Sequence, residues 1–462
     1  MQEFEKYKPL LFLIMISIPI LIIIVETRKS NMIKKHFNFN KALKKSNPKR
    51  KTPPSYQRGN GTLIGYQHKR PITIADNAKH VFICGTTGSG KTVALSNFIA
   101  HVADKGFPAL IVDGKGDMGT GSILEITKQL CRKQKIYVIS ISDPSQSDKY
   151  NPFRHASPTA CKDMLINMTE WSEPHYKHNT ERYLQRLIVL LKQNGISLSF
   201  QSIVGHMPVD QFNVLSTKLF KEEVISKQEH LVNLGISNTC GKIAQEASAR
   251  FSTILESEVG SIFEPDGIDI YNAIKEKAVI LFILNPMLYP ELSPLFGRLV
   301  LIDAKQAVNQ CFRHRVERAF YIFDEINNYA SPTLIDLINK SRSANITAVL
   351  ATQSLADLDF AVNEAFKEQI IENTNNYLVL RQNSAVNAEH WANILGTKST
   401  IDVTYQLRQN GFDASDTGLG SARRVREFLY HPDDIKALKT GQGIFMSKDE
   451  NFHSFIHINK PY

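Results

Sequence analysis

The octapeptide Gly85-Thr86-Thr87-Gly88-Ser89-Gly90-Lys91-Thr92 constrains this chain more than any other stretch of it. It fits the pattern GxxxxGK[ST], follows directly on the apolar run His80–Cys84 and opens a helical pattern over Lys91–Asp104. A strand that turns through glycines into a helix N-terminus aims several backbone N–H groups at one point, which suits a phosphate. In that arrangement Gly85, Thr86, Thr87, Gly88, Ser89 and Gly90 wrap the phosphates of a nucleotide. Lys91 reaches its β and γ phosphates, and the Thr92 hydroxyl ligates Mg2+. ATP and Mg2+ are therefore the expected ligands.

The rest of the chain supplies the sheet that such a turn needs. Apolar runs recur at HVFICG (80–85), ALIVDG (109–114), KIYVISIS (135–142), AVILFILN (278–285), AFYIFDE (319–325), TAVLATQ (347–353) and NYLVLRQ (376–382). Several are continuous and β-branched, the pattern of strands buried on both faces of a parallel sheet. Helical patterns such as Lys91–Asp104 and Pro294–Val308 separate them, so the expected class is α/β. Residues 154–269 read differently, as periodic polar and apolar stretches such as ERYLQRLIVLLKQ (181–193), and predict an inserted all-α domain. Five scattered cysteines without a CxxC pair exclude a disulfide framework and a structural zinc site.

Nucleotide hydrolysis needs an acidic residue at the end of a buried strand for Mg2+ and a group that activates water. Phe320-Tyr321-Ile322-Phe323-Asp324-Glu325 offers both, Asp324 for the metal and Glu325 as base. Lys91 and Asp324 lie much further apart in sequence than one or two βα units require, which leaves room for the helical insert. Gln353, after the strand ending Thr352, is suited to sensing the γ-phosphate. Arg342 or Arg381 is the candidate arginine finger across a subunit boundary. Asp113 and Lys115 of VDGKGD (112–117) end the second strand at the same edge.

The net charge of +10 is local. Ten of the 55 Lys and Arg fall in residues 27–51, which hold no Asp or Glu, so the remainder of the chain balances 45 bases against 45 acids. Pro9–Val25 is an uncharged apolar run before that basic segment. It predicts one N-terminal transmembrane helix with the basic side in the cytoplasm. The expected organisation is a tail and anchor over 1–26, a basic tether over 27–59, an ATPase domain over 60–153 and 270–462, and the insert over 154–269.

Taken together, the P-loop, VDGKGD, YNPF (150–153), the insert, FDEI (323–326), SRS…ATQS (341–354) and NTNNYLVLR (373–381) make the chain resemble the conjugative coupling proteins of TraD/TraG type. These belong to the FtsK/HerA branch of RecA-like motor ATPases. The resemblance implies a RecA-like P-loop NTPase sheet with an inserted all-α domain, anchored at the bacterial inner membrane and assembled as a homo-hexamer. It implies ATP-driven movement of single-stranded DNA with its relaxase into a type IV secretion channel. By the family's motifs, Lys91 and Thr92 hold nucleotide and Mg2+, Asp324 and Glu325 serve metal and hydrolysis, Gln353 senses, and Arg342 is the finger, with Arg381 as its alternative. Relatives commonly carry two membrane helices, where this chain shows one candidate. A secretion ATPase acting on protein, or a receptor that binds ATP and only recruits the nucleoprotein, are the other expectations.

Overall fold

The computed structural model describes residues 61–76, 80–169, 171–314, 318–410 and 413–462. The predicted anchor over 1–26 and tether over 27–59 lie outside the described residues. Among the described residues no helix is long and apolar enough to cross a membrane.

Thirteen strands are described: β1 Gly61–Gln67, β2 Arg70–Ala75, β3 Val81–Cys84, β4 Ala109–Asp113, β5 Ile136–Ser140, β6 Val279–Ile283, β7 Ala319–Asp324, β8 Ile346–Thr352, β9 Asn376–Val379, β10 Thr397–Asn410, β11 Asp413–Phe428, β12 Gln442–Ser447 and β13 Phe452–Ile458. Eleven form one sheet in the order β2-β1-β13-β12-β9-β3-β8-β7-β4-β6-β5. The seven runs read from the sequence are its parallel part, β9 through β5. The other four strands extend one side by antiparallel pairing.

Because side chains alternate across a strand, each parallel strand feeds two cores. Phe82, Cys84, Leu110, Val112, Tyr321 and Phe323 enter one, with the helices of 158–256 and those over Leu292–His314, Pro332–Ser341 and Ala385–Leu395. Val81, Ile83, Ala109, Ile111, Phe320 and Ile322 enter the other, under the helices Lys91–Lys105 and Ile123–Leu130. Both faces are covered, which explains why these strands read as continuous apolar runs rather than alternating ones.

Between β5 and β6 the chain is helical. Its longest helix, Lys227–Glu256, begins at a capping box in which Ser226 Oγ accepts the Glu229 N–H and the Glu229 carboxylate accepts the Ser226 N–H. The two ends of this stretch meet at Tyr150, whose N–H donates to Ile262 O at 2.9 Å, and at Asn151, whose N–H donates to Ile268 O at 2.9 Å. The Tyr150 hydroxyl donates to Asp303 Oδ2 at 2.9 Å, and the Ile270 N–H donates to the same oxygen at 3.2 Å, tying both ends to the helix Leu292–His314. The described residues pack as one compact unit.

Strands β10 and β11 pair only with each other, as an antiparallel ribbon outside the main sheet. Near its base Asp402 stands opposite Arg423, and Lys398 opposite Glu427.

Candidate nucleotide site

The P-loop leaves β3, which lies between β9 and β8 in the sheet. Two of its residues turn through positive φ, Gly88 at 74° and Gly90 at 111°, conformations that glycine takes without a Cβ penalty. At Gly85 space decides instead, since a Cβ there would stand 2.5 Å from Leu380 Cβ. Ser89 closes the turn, its Oγ donating to Thr86 O at 2.6 Å. Thr86 N–H donates to Arg381 O at 3.0 Å, so the end of β9 props the loop from behind. From the other side, Thr440 Oγ1 donates to Gly88 O at 2.9 Å and Gly441 N–H to Ser89 O at 3.1 Å. The result is an open cavity of about 280 Å³ whose walls include Thr86, Thr87, Lys91, Thr92, Lys115 and Glu325.

The acidic side of the site comes from β7, at the same sheet edge. Asp324 is its last residue, and Glu325 follows with φ 47° and ψ 55°, a left-handed conformation that a non-glycine residue holds only under tertiary constraint. Glu325 Oε1 gathers the cluster. Lys91 Nζ donates to it at 2.8 Å, Gln353 Nε2 at 3.1 Å, and Lys115 Nζ stands 3.5 Å away. Gln353 also accepts from Thr87 Oγ1 at 3.1 Å, so it bridges the P-loop and Glu325. Among the described residues no donor reaches Glu325 Oε2, the oxygen left to receive a proton.

Asp324 is buried, and neither of its carboxylate oxygens accepts a hydrogen bond. Lys115 Nζ stands 3.3 Å from Oδ2. Burial pushes this carboxyl above its usual range, Lys115 and Lys91 pull it back, and Glu325 adds to the rise. A buried carboxylate whose oxygens accept no hydrogen bond, at the same sheet edge as the hydroxyl at the head of the P-loop helix, offers the oxygen donors that a hard cation takes. Mg2+ therefore fits Asp324 and Thr92, and a triphosphate fits the loop. Across the pairing register Asp113 lies beside Asp324. Burial, and then the charge of Asp324, push the Asp113 carboxyl up to about 7.

Of the sequence candidates, the loop residues 85–92, Asp324, Glu325 and Gln353 converge. Arg381 reaches the loop through its carbonyl, while its guanidinium Nε is buried without an acceptor. Arg342 is not brought to this edge. It precedes β8, where the parallel strands begin, and the seven residues of β8 separate that edge from the nucleotide edge by about 20 Å. Arg342 is exposed there, and its charge is felt by the buried His80. Sequence reasoning gave Lys115 no role, although its setting between glycines was visible. It missed Thr440, which no spacing rule connects to a loop 352 residues earlier.

Comparison with known proteins follows the same outline. The family model for the type IV secretion-system coupling protein DNA-binding domain matches residues 68–122, and that for the TraM recognition site of TraD and TraG matches residues 318–440. Between them they hold the P-loop, Lys115, Asp324, Glu325, Gln353, Arg381 and Thr440. The fold is similar to the bacterial conjugative coupling protein TrwBdeltaN70, with a TM-score of 0.62 at 16% identity over 88% of this chain and 90% of that one. TrwB in complex with ADP and Mg2+ superposes with a TM-score of 0.60 at 15% identity, over 88% and 91% of the two chains. VirB4 of Thermoanaerobacter pseudethanolicus gives 0.53 at 14% identity, over 88% and 98%. An uncharacterized protein of Mycoplasma pneumoniae is 31% identical over 108 residues, 23% of this chain and 69% of that protein. Two family models named for coupling-protein domains meet at one edge of a sheet whose fold is similar to that of TrwB, and together they support a TraD/TraG-type coupling protein with the site of a P-loop ATPase.

Proposed function

We propose that the chain is a membrane-anchored coupling ATPase that engages single-stranded DNA bearing its relaxase and drives it into a type IV secretion channel. The observation that carries the reading is the convergence of Lys91, Asp324, Glu325 and Gln353 on the P-loop from three different strands. TrwB, solved with ADP and Mg2+ and with a non-hydrolysable ATP analogue, supports ATP and Mg2+ as ligands. The family models, named for DNA binding and for TraM recognition, support DNA and a relaxosome-type partner.

The chemistry assigned to each residue follows from its place. Lys91 would leave Glu325 for the terminal phosphates of a bound nucleotide, and Thr92 with Asp324 would hold Mg2+. The ion supplies charge neutralisation at the phosphates when bound. Gln353 orients Glu325, whose free Oε2 takes the proton of the attacking water. Of the two finger candidates, Arg381 stands at the nucleotide edge, and Arg342 stands at the opposite edge, where only a neighbouring subunit's site is within its reach.

We place the tail and anchor at 1–26, the basic tether at 27–59, the ATPase domain at 60–153 and 270–462, and the all-α insert at 154–269. In this reading the anchor is a single pass through the bacterial inner membrane, the ATPase domain is cytoplasmic, and the working form is a hexamer that docks on channel components.

The test is ATP hydrolysis by the full-length protein in nanodiscs, with and without single-stranded DNA, over a range of protein concentrations. Stimulation by DNA that rises with concentration supports the reading. Turnover indifferent to DNA at every concentration overturns it in favour of a secretion ATPase acting on protein, to which the balanced charge outside the tether is better suited.

A further inference from the structure

We propose that Lys115 is a positioning residue of the hydrolytic site: it holds the charge of the divalent cation at Asp324 before nucleotide binds, and it keeps Glu325 anchored after Lys91 has turned to the phosphates. The proposal rests on the ATPase reading above.

The loop that carries Lys115 is built to aim it. Asp113 Oδ1 accepts the Lys115 N–H at 2.9 Å, and Gly114 N–H donates to Asp324 O at 3.2 Å. Asn328 Nδ2 donates to Gly114 O at 2.9 Å, closing the loop against the segment after β7. Any Cβ on Gly114 would stand 2.8 Å from Asp324 O and 2.9 Å from Glu325 O. Gly116 turns with φ 75°, where an added Cβ would meet Leu284 O. The glycines on either side thus let the backbone press against β7 while the lysine between them faces the cavity.

Charge explains why a lysine is needed. Asp113, Asp324 and Glu325 are all nearly fully buried at one sheet edge, and among the described residues the ammonium groups paired with Asp324 and Glu325 are those of Lys91 and Lys115. Lys91 is buried and reaches Glu325 alone, whereas Lys115 is about a third exposed and touches both carboxylates. When phosphates draw Lys91 away, Glu325 keeps Gln353 and Lys115 on Oε1, and Oε2 stays free. When a cation takes Asp324, Lys115 is the group it displaces, and the two positive charges repel.

The experiment compares Lys115→Met and Lys115→Arg with wild type, all full-length, by three readouts. These are the melting temperature in EDTA without nucleotide, the affinity for a fluorescent ATP analogue across a Mg2+ titration, and steady-state kcat and KM. For Lys115→Met we expect kcat to fall about 100-fold, the scale of a misplaced catalytic group. Analogue affinity at saturating Mg2+ should stay within about threefold of wild type, and half-saturation should occur at severalfold lower Mg2+, because the competing cation is gone. Lys115→Arg should restore most of kcat. An unchanged kcat in Lys115→Met, with wild type active, overturns the role of Lys115 alone. Parallel losses of melting temperature, analogue binding and kcat in both variants overturn it in favour of a purely structural lysine. A wild-type chain that binds no Mg2+-nucleotide overturns the ATPase reading and this proposal together.

Discussion

Lys91 Nζ lies 2.8 Å from Glu325 Oε1, with both side chains nearly fully buried. The residue that would bind phosphate and the residue that would activate water are each other's partner until a nucleotide separates them. Glu325→Gln is therefore expected to keep Mg2+-nucleotide affinity and lose turnover by roughly 100- to 10,000-fold, the range for a removed general base. Lys91→Ala is expected to lose both. Analogue binding beside a phosphate-release assay distinguishes the two, and an affinity loss in Glu325→Gln equal to that in Lys91→Ala would contradict the assignment.

Asp113 gives the nucleotide-free protein a pH dependence. Its carboxyl, pushed up to about 7 by burial and by Asp324, stays protonated in the fold after the unfolded chain has lost the proton. The unfolded state then binds fewer protons, so this group's contribution to stability falls as pH rises from about 4 to about 7 and is level above that. Asp113→Asn removes the effect and keeps an acceptor for the Lys115 N–H. The stability of the variant relative to wild type should rise across that window by up to about 1.4 kcal/mol per pH unit. Urea unfolding in EDTA at several pH values measures it, and a pH-independent difference would exclude it.

The junction at Tyr150 is expected to be sensitive to a single oxygen. Tyr150→Phe leaves Asp303 Oδ2 with the Ile270 N–H as its remaining donor in a fully buried site. Burial, with the charge of Asp269, holds the Asp303 carboxyl well above its usual range. The expected cost is about 1–3 kcal/mol in unfolding free energy. A change below measurement error would show that the hydrogen bond contributes nothing net.

All five cysteines are buried and free. Burial pushes the Cys84 thiol up to about 12 and those of Cys131 and Cys311 up to about 11, far from the thiolate that reacts with disulfide reagents. Native protein at pH 7.5 is expected to show no fast-reacting thiol, against five in denaturant. A fast-reacting thiol in the native state would contradict the packing around that residue.

The ribbon of β10 and β11 shares no strand pairing with the main sheet. Replacing residues 401–424 by a short turn between Thr400 and Val425, which already face each other, should leave the melting temperature unchanged within error. A large drop would mean that the ribbon supports the core.

Much of this was legible in the sequence, for identifiable reasons. Strands such as ALIVD (109–113) and AFYIFD (319–324) are buried on both faces, so their composition alone separates them from helices and loops. FHSFIHI (452–458) was harder to place, because it alternates and lies towards the edge of the sheet, where one face is less apolar. The first strand of the ribbon alternates Ile401, Val403, Tyr405 and Leu407 with polar residues, a pattern that a search for continuous apolar runs passes over. At the site, Lys91, Asp324, Glu325 and Gln353 follow the ends of strands, and topology alone takes them to one edge. Arg342 stands before a strand instead, and the same topology takes it to the other edge. Lys115 sits in a motif that was visible, but its function depends on the pairing of β4 with β7, which the linear chain does not display.

The contact between Thr440 and Gly88 also bears on how the protein is made. The two residues are 352 positions apart, and Asn459 is paired with Asn97 of the P-loop helix by two amide hydrogen bonds at 2.8 and 2.9 Å. At roughly 5–20 residues per second of synthesis, a nascent P-loop leaves the ribosome on the order of 20–70 s before its outer wall. For about the first two-thirds of that interval Lys91 has no Glu325, and β3 waits longer still for β8 and β9. The loop carries its whole sequence signature from the start, yet its binding competence arrives late in translation, when residues near Thr440 and Asn459 close over it.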